Sequence, residues 1–304
     1  AVHIHDPELL LLLPFLRLGL GRRTRLIYDA HEYFADSVAV KHWIPPRLRP
    51  LAARVAGWGE RILAQRADAL VLAVEGQRAE YGAFRGPVVV ARNLPLAGLF
   101  EGGEPHPDLD VPGFRLVYVG LILPQRGIDL LLEALCLLRE EGIEDVHIFF
   151  LGAETSAVYM ARLRAFAREH SLDGQVHWLG YVQPDQLKHY LANADAGLAP
   201  LVPTRQYSRP FLATKLFEYM LAALPIVCAD QPNWRTHVEE AGCGIVVPAG
   251  EPAAYARAIR QLRGDPAGAR AMGERGREAV LARYTWEREE ERLLELYESL
   301  LGRP

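Results

Sequence analysis

The sequence predicts an α/β protein of two doubly wound parallel-sheet domains. Short runs rich in Val, Ile and Leu alternate with amphipathic stretches, the pattern of strands buried on both faces and joined by helical crossovers. That pattern runs once, stops in a Gly- and Pro-rich segment at residues 98–113, and restarts. The 304 residues also exceed what one hydrophobic core usually serves.

A short strand from Val2 leads into the apolar run LLLLLPFLRLGL at residues 9–20. This run is too short to cross a bilayer and carries Pro14 and Arg17, so it is expected to be a packed helix. RLIYDA at 25–30 has the composition of a buried strand and stops just before His31 and Glu32. Helical spacing covers 46–67. ALVLAV at 69–74 and VVVARN at 88–93 are two further strands, and the mostly polar stretch 77–84 between them is helix-like. The first domain is therefore placed at 1–100 and a linker at 101–113, within GLFEGGEPHPDLDVPG.

In the second domain, placed at 114–283, strands are expected at 115–120, 146–152, 176–180, 196–201, 225–230 and 244–248. Helices are expected at 128–141, 159–170 and 184–194 and over TKLFEYML from Thr214. The rest, from 252 to 301, is helical by period and charge with a break near Tyr284. Residues 284–304 are placed as a helix that packs back on the first domain.

Half the residues are apolar, ample for ordinary cores. A formal charge of -4 supplies no bulk attraction for nucleic acid, so phosphate recognition has to be local. Three widely spaced cysteines in apolar runs make neither a disulfide framework nor a zinc cluster and fit a reducing, cytoplasmic setting. No signal peptide is visible. The sequence opens at Ala1, and natural residues are expected to precede it.

In parallel sheets, ligands gather outside the carboxyl ends of the strands, and four strand ends carry chemistry. GLILPQRG at 120–127 is a glycine-flanked loop with one cation, Arg126. It suits a phosphate held by helix N–H groups and a guanidinium, or it is an ordinary loop with a solvated arginine. Lys215 and Glu218 stand at i and i+3 on one helix face, either as a surface ion pair or, at the mouth of the sheet, with the carboxylate placed to bind two vicinal hydroxyls, as of a ribose. YDAHEYF at 28–34 ends a strand with His31, a structural or a catalytic histidine. HIHDP at 3–7 puts His3 and His5 on one strand face. Two histidines without a third ligand point only weakly to metal.

Together these segments resemble the GT-B retaining glycosyltransferases of family 4, over nearly the whole chain. HIHDPELL and LIYDAHEYF are similar to the family's two first-domain strand ends, and YVGLILPQRGIDLLLEAL to its phosphate loop and helix. LGYVQPDQLKHYLANADAGLAPL and TKLFEYMLAALPIVCAD are similar to its donor-domain core. The resemblance implies two Rossmann-like domains with a nucleoside diphosphate sugar bound between them, no metal or other cofactor, and transfer of the sugar with retention in a hexosyltransferase-like reaction. The acceptor would be a hydroxyl of a glycan or lipid-linked molecule.

By the same resemblance, Arg126 and Gly120 hold the pyrophosphate, Glu218 the ribose hydroxyls, backbone near Val182 the base, and His31 the transferred sugar. Gly152 and Glu154 line the donor pocket, and Lys215 lies beside the diphosphate or orients Glu218. Two departures stand out: Leu121 occupies the place of the family's phosphate-loop arginine, and Pro210 that of the first glutamate of its paired-glutamate motif. Contacts to the sugar hydroxyls then fall to Arg205, Tyr207, Ser208 or Arg209.

The resemblance also implies that the first strands of the N-terminal domain are missing. A sheet edge and an apolar face would then need a partner segment or a second copy. Peripheral contact with the inner face of a membrane would rest on the modest cluster Lys41, Arg47, Arg49 and Arg54. Two alternatives stay open: a nucleotide-sugar-binding subunit without transferase activity of its own, and a nucleotide-sugar epimerase or hydrolase of the same fold.

Overall fold

The computed structural model describes residues 1–21, 23–41, 43–204, 209 and 211–302, and divides into two compact units, 1–93 with 286–304 and 94–285. The first unit contains β1 (Val2–Ile4), α1 (Leu13–Leu20), β2 (Leu26–Ala30), α2 (Phe34–Ala39), α3 (Arg49–Ala64), β3 (Ala69–Leu72) and β4 (Val88–Val90). Its four strands are all parallel and lie in chain order, with β1 and β4 as the edges. On one face, Ile4, Leu26, Tyr28 and Leu70 pack with Leu10, Leu13 and Ala64.

The expected packed helix at 9–20 divides into a 3₁₀ segment, Pro7–Leu12, followed by α1. Only Leu10 and Leu13 of it are fully buried, while Phe15 and Leu18 are 70% and 84% exposed. A run that is apolar all round can turn only one side to the sheet. The helix expected at 46–67 is confined to 49–64 and presents the small residues Gly57 and Ala64 inward beside Glu60. Burial raises the Glu60 carboxyl above its ordinary range, and the hydroxyls of Tyr28 and Tyr81 donate to it at 2.7 and 2.6 Å. The helix-like stretch at 77–84 is a 3₁₀ segment, Glu75–Tyr81.

The second unit holds β5 (Phe114–Val119), α4 (Ile128–Glu140), β6 (Val146–Leu151), α5 (Ala157–Glu169), β7 (Val176–Gly180) and α6 (Leu187–Leu191). They are followed by β8 (Ala196–Ala199), α7 (Thr214–Leu221), β9 (Ile226–Ala229), α8 (Pro232–Ala241), β10 (Gly244–Val247), α9 (Pro252–Gly264) and α10 (Pro266–Arg283). The chain starts mid-sheet at β5, winds out to β7, returns to β8 on the other side of β5 and winds out to β10, all in parallel. One face packs Leu131 and Leu135 of α4 with Ile259 of α9, and the other packs Leu216, Phe217 and Met220 of α7 with Trp234 of α8.

Residues 94–113, which span the expected linker, pack on this second unit. Leu94 and Leu109 are buried in its core, and His106 stacks on Tyr190 with ring centroids 3.9 Å apart. The helix α11 (Trp286–Leu301) belongs to the first unit and covers the other face of its sheet, Leu296 packing on Ile27, Ala69 and Val71. The fully buried Glu289 anchors it by pairing with Arg92 at 2.6 Å just beyond β4.

Candidate functional site

In the second unit the switch point lies at β5, where the chain leaves for β6 on one side and later returns as β8 on the other. A crevice outside the carboxyl end of such a strand is where open α/β sheets bind ligands. Gly120 follows β5 with φ +126°, and the strand after it brings Gly152 so close that a Cβ there would lie 1.8 Å from the Gly120 carbonyl oxygen. No side chain fits at Gly152, and the positive φ at Gly120 likewise favours glycine there.

The loop after Gly120 is tied down on several sides. The Tyr118 hydroxyl donates to the Leu121 carbonyl at 2.9 Å, Ile122 N–H to Ala153, and the Thr155 hydroxyl to the Ile122 carbonyl at 2.9 Å. Arg126 follows in a single 3₁₀ turn, Pro124–Arg126, ahead of α4.

The other wall is α7. Its Tyr219 is fully buried, accepts from Val119 N–H at 2.9 Å and reaches the Leu198 carbonyl at 3.1 Å, which fixes the helix across the ends of β5 and β8. With Tyr219 inward, Lys215 and Glu218 share the neighbouring face. The Lys215 ammonium lies 3.9 Å from the centroid of the Tyr118 ring, a cation–π contact, and 3.2 Å from where a Cβ on Gly120 would stand.

Burial, reinforced by the neighbouring charge of Arg126, holds the Lys215 ammonium well below the usual lysine range, with Glu218 pulling the other way. Burial likewise pushes the Glu218 carboxyl up to about 7, against the pull of Lys215. Among the described residues the two form no ion pair with each other or with other side chains, so the surface-pair alternative does not describe them. A desolvated amine beside a guanidinium is an arrangement that a nearby anion would stabilise.

The fold thus brings Gly120, Arg126, Lys215 and Glu218 together, with Gly152 behind them. Glu154, expected to line the pocket, instead turns its carboxylate to Arg164 of α5 at 2.5 Å. Val182, just past β7, is half-buried against the α7 face of the core. Tyr207 lies outside the described residues, as do Arg205, Ser208 and Pro210. Arg209 is exposed, and its carbonyl accepts from the buried Gln231 at 3.0 Å. Tyr118 and Tyr219 were missed by sequence reasoning; the signal was an aromatic at each end of the motif pair, two residues before Gly120 and one after Glu218.

His31 belongs to the first unit, exposed at the end of β2, with its Nε2 3.1 Å from His5 Nδ1 and 3.8 Å from Asp29. Among the described residues no helix is long and apolar enough to cross a membrane.

Residues 113–265 match the sequence model of the family described as Glycosyl transferases group 1. Over 195 residues, 62% of its length, the chain is 28% identical to a D-inositol 3-phosphate glycosyltransferase of Salinispora tropica. It spans 39% of that protein and 52% of a Bacillus subtilis relative, spore coat protein SA, so about half or less of these relatives' length.

Among solved structures, sucrose-phosphate synthase from Thermosynechococcus elongatus superposes with a TM-score of 0.77 at 20% identity, covering 99% of this chain and 73% of that one. The Anabaena protein HepE, solved in complex with UDP, gives 0.76 at 17% identity, covering 98% of this chain and 78% of that one. At such identities the likeness speaks for the fold, the two parallel-sheet α/β domains of GT-B proteins.

Proposed function

The chain belongs to the glycosyl transferases group 1 family, and on that premise we propose that it moves a sugar from a nucleoside diphosphate sugar to a hydroxyl of a glycan or lipid-linked acceptor, with retention. The observation that carries this reading is the meeting of Lys215, Arg126 and Glu218 around Gly120, where burial and like charge leave Lys215 short of an anion. A diphosphate supplies that anion. As it binds, its charge offsets the burial and like charge that depress Lys215, and Arg126 offers a second cation.

Glu218, ionised, accepts from two vicinal ribose hydroxyls, and backbone beside Val182 meets the base. HepE, of the same fold, has been solved with UDP and with UDP-glucose, which makes uridine nucleotides the first probes. We further propose that metal is dispensable, since the leaving diphosphate is met by two protein cations and the N-terminal turn of α7. In the transfer, the acceptor oxygen bonds to the anomeric carbon on the side the leaving group departs from. The bond from that carbon to phosphate oxygen breaks, and the acceptor proton passes to the departing phosphate. His31 is assigned to this step.

Calorimetric titration with UDP and with UDP-sugars tests the donor site. Saturable binding is expected, weakened about tenfold or more in Glu218→Ala, because hydrogen bonds to a charged group contribute ~1.5–3 kcal/mol. Equal binding in that variant removes the ribose assignment. Products formed with and without acceptor separate transfer from hydrolysis or epimerisation.

The exposed apolar side chains of α1 and α3 favour one second reading. In it the chain binds donor but transfers only with a partner segment or second copy over that face. UDP binding without turnover, rescued by a second chain, is its signature.

A further inference from the structure

We infer that the first unit carries a divalent transition-metal site, with His3 Nε2, His5 Nδ1 and the Asp29 carboxylate as ligands. The argument begins with register. In the parallel pairing of β1 with β2, His3 is opposite Ile27 and Ile4 opposite Tyr28. Side chains alternate faces along a strand, so His3 and His5 share a face, as do Ile27, Asp29 and His31. Ile27 packs against α11, and the whole polar set therefore collects on the α11 side at the carboxyl edge of the sheet.

The ligand atoms of His3, His5 and Asp29 lie within 4.8 Å of one another. His3 Nε2 is 3.4 Å and His5 Nδ1 3.5 Å from the same Asp29 oxygen. Four ligands around zinc at ~2.0–2.1 Å stand about 3.3–3.5 Å apart along the edges of the tetrahedron. The gaps are those of a ligand set around an ion and too long for good hydrogen bonds.

Two further observations point the same way. His3 Nε2 is buried and makes no hydrogen bond, although its ring is held from behind by the Tyr297 hydroxyl, 2.5 Å from Nδ1. A partner at the far nitrogen is what orients a metal-bound imidazole and fixes its tautomer. Asp29 is 8% exposed, and among the described residues its ion-pair neighbours are the imidazoles of His3, His5 and His31, with no arginine or lysine.

Two imidazoles and a carboxylate are the donor set of open zinc sites. A cavity of about 100 Å³ lined by His5, His31, Glu32 and Phe34 gives an ion a way in, and water completes the coordination. The site is independent of the donor reading, since it shares no residue with Lys215, Arg126 or Glu218.

The test titrates Zn²⁺, by calorimetry, into the full chain carrying no affinity-tag histidines and stripped with a chelator. One equivalent is expected, with Co²⁺ giving the visible absorption of a tetrahedral site. His5→Gln and Asp29→Asn should each weaken Zn²⁺ binding at least ~10–100-fold, a loss seen even for partners behind the ligands. His177→Gln, which alters the His147–His177 pair of the second unit, should leave it unchanged. His5 is exposed, so its variant remains informative if Asp29→Asn fails to fold. No saturable site, a site that survives both ligand variants, or one lost in His177→Gln would overturn the proposal, and UDP binding distinguishes that outcome from failure of the donor reading.

Discussion

The two sheets end their strands in opposite chemistries. At the carboxyl edge of the second, Lys215 and Arg126 stand close enough to depress the lysine, with the half-buried Glu218 beside them. At the carboxyl edge of the first, three imidazoles face the buried Asp29, a set of nitrogen and oxygen donors. On the two readings proposed above, the same architectural position, rimmed by strand ends and held by glycine or aromatic supports, would take an anion in one unit and a cation in the other through a handful of side chains. Function on such folds is to be sought in the side chains at the rim.

The sharpest break of that contrast is Lys215→Ala. If the lysine meets the charge that develops on the departing diphosphate, kcat should fall ~10²–10³-fold, the cost of one preorganised donor. Binding of a nucleoside lacking phosphates should not change. Steady-state kinetics with calorimetry of nucleoside and UDP decide it; equal loss for both ligands would make Lys215 a support for Glu218.

His31→Ala sharpens the other side. Its ring is exposed and its removal leaves Asp29, His3 and His5 in place, so turnover should drop on the order of 10-fold or more while UDP affinity holds. A variant with unchanged kcat returns His31 to a structural part.

What the sequence made legible were features that are local. The Gly120–Gly127 loop, the i,i+3 spacing of Lys215 and Glu218 and the strand ends were readable because each lies within a few residues of chain. Asp29 as third partner of His3 and His5 was not, since only the β1–β2 register, across more than twenty residues, lays them side by side. Tyr297 arrives at His3 from the far end of the chain, and Glu289 reaches Arg92 in the same way. The apolar run at 9–20 was read as buried because composition reports hydrophobicity and not how much neighbouring surface exists to cover it.

A smaller effect lies in pH. The Glu218 carboxyl titrates near 7 in the folded chain and near its ordinary 4.5 when unfolded. Between those values the folded state binds more protons, so this group's contribution is fully present at low pH and is lost as pH rises through about 7. Because Glu218 keeps a partial opening to water, the loss is on the order of 1–2 kcal/mol. Glu218→Gln should therefore raise Tm by roughly 2–8 °C at pH 8 and change it little at pH 5. Lys215 acts with the opposite sign, its depressed ammonium favouring the folded chain as pH rises. Thermal melts of both proteins across pH 5–8 check the difference, and parallel curves would mean that Glu218 is ionised throughout.

The smallest stability effect accompanies a large change in association. Exposed apolar residues in the second unit, such as Val158, are scattered, whereas Phe15, Leu18, Leu51, Val55 and Trp58 of the first sit on the two helices that share one face of its sheet. Replacing Phe15, Leu18 and Trp58 by serine removes little buried surface, so stability should move by no more than about 0.5 kcal/mol per site. If that face seats a partner segment or second copy, the parent chain gains mass with concentration in sedimentation velocity and the triple variant does not. Val158→Ser, a lone exposed residue, should leave self-association untouched. A parent chain that stays monomeric at every concentration, with melts unchanged by the substitutions, would show that this helix face, like the scattered residues of the second unit, is tolerated in water.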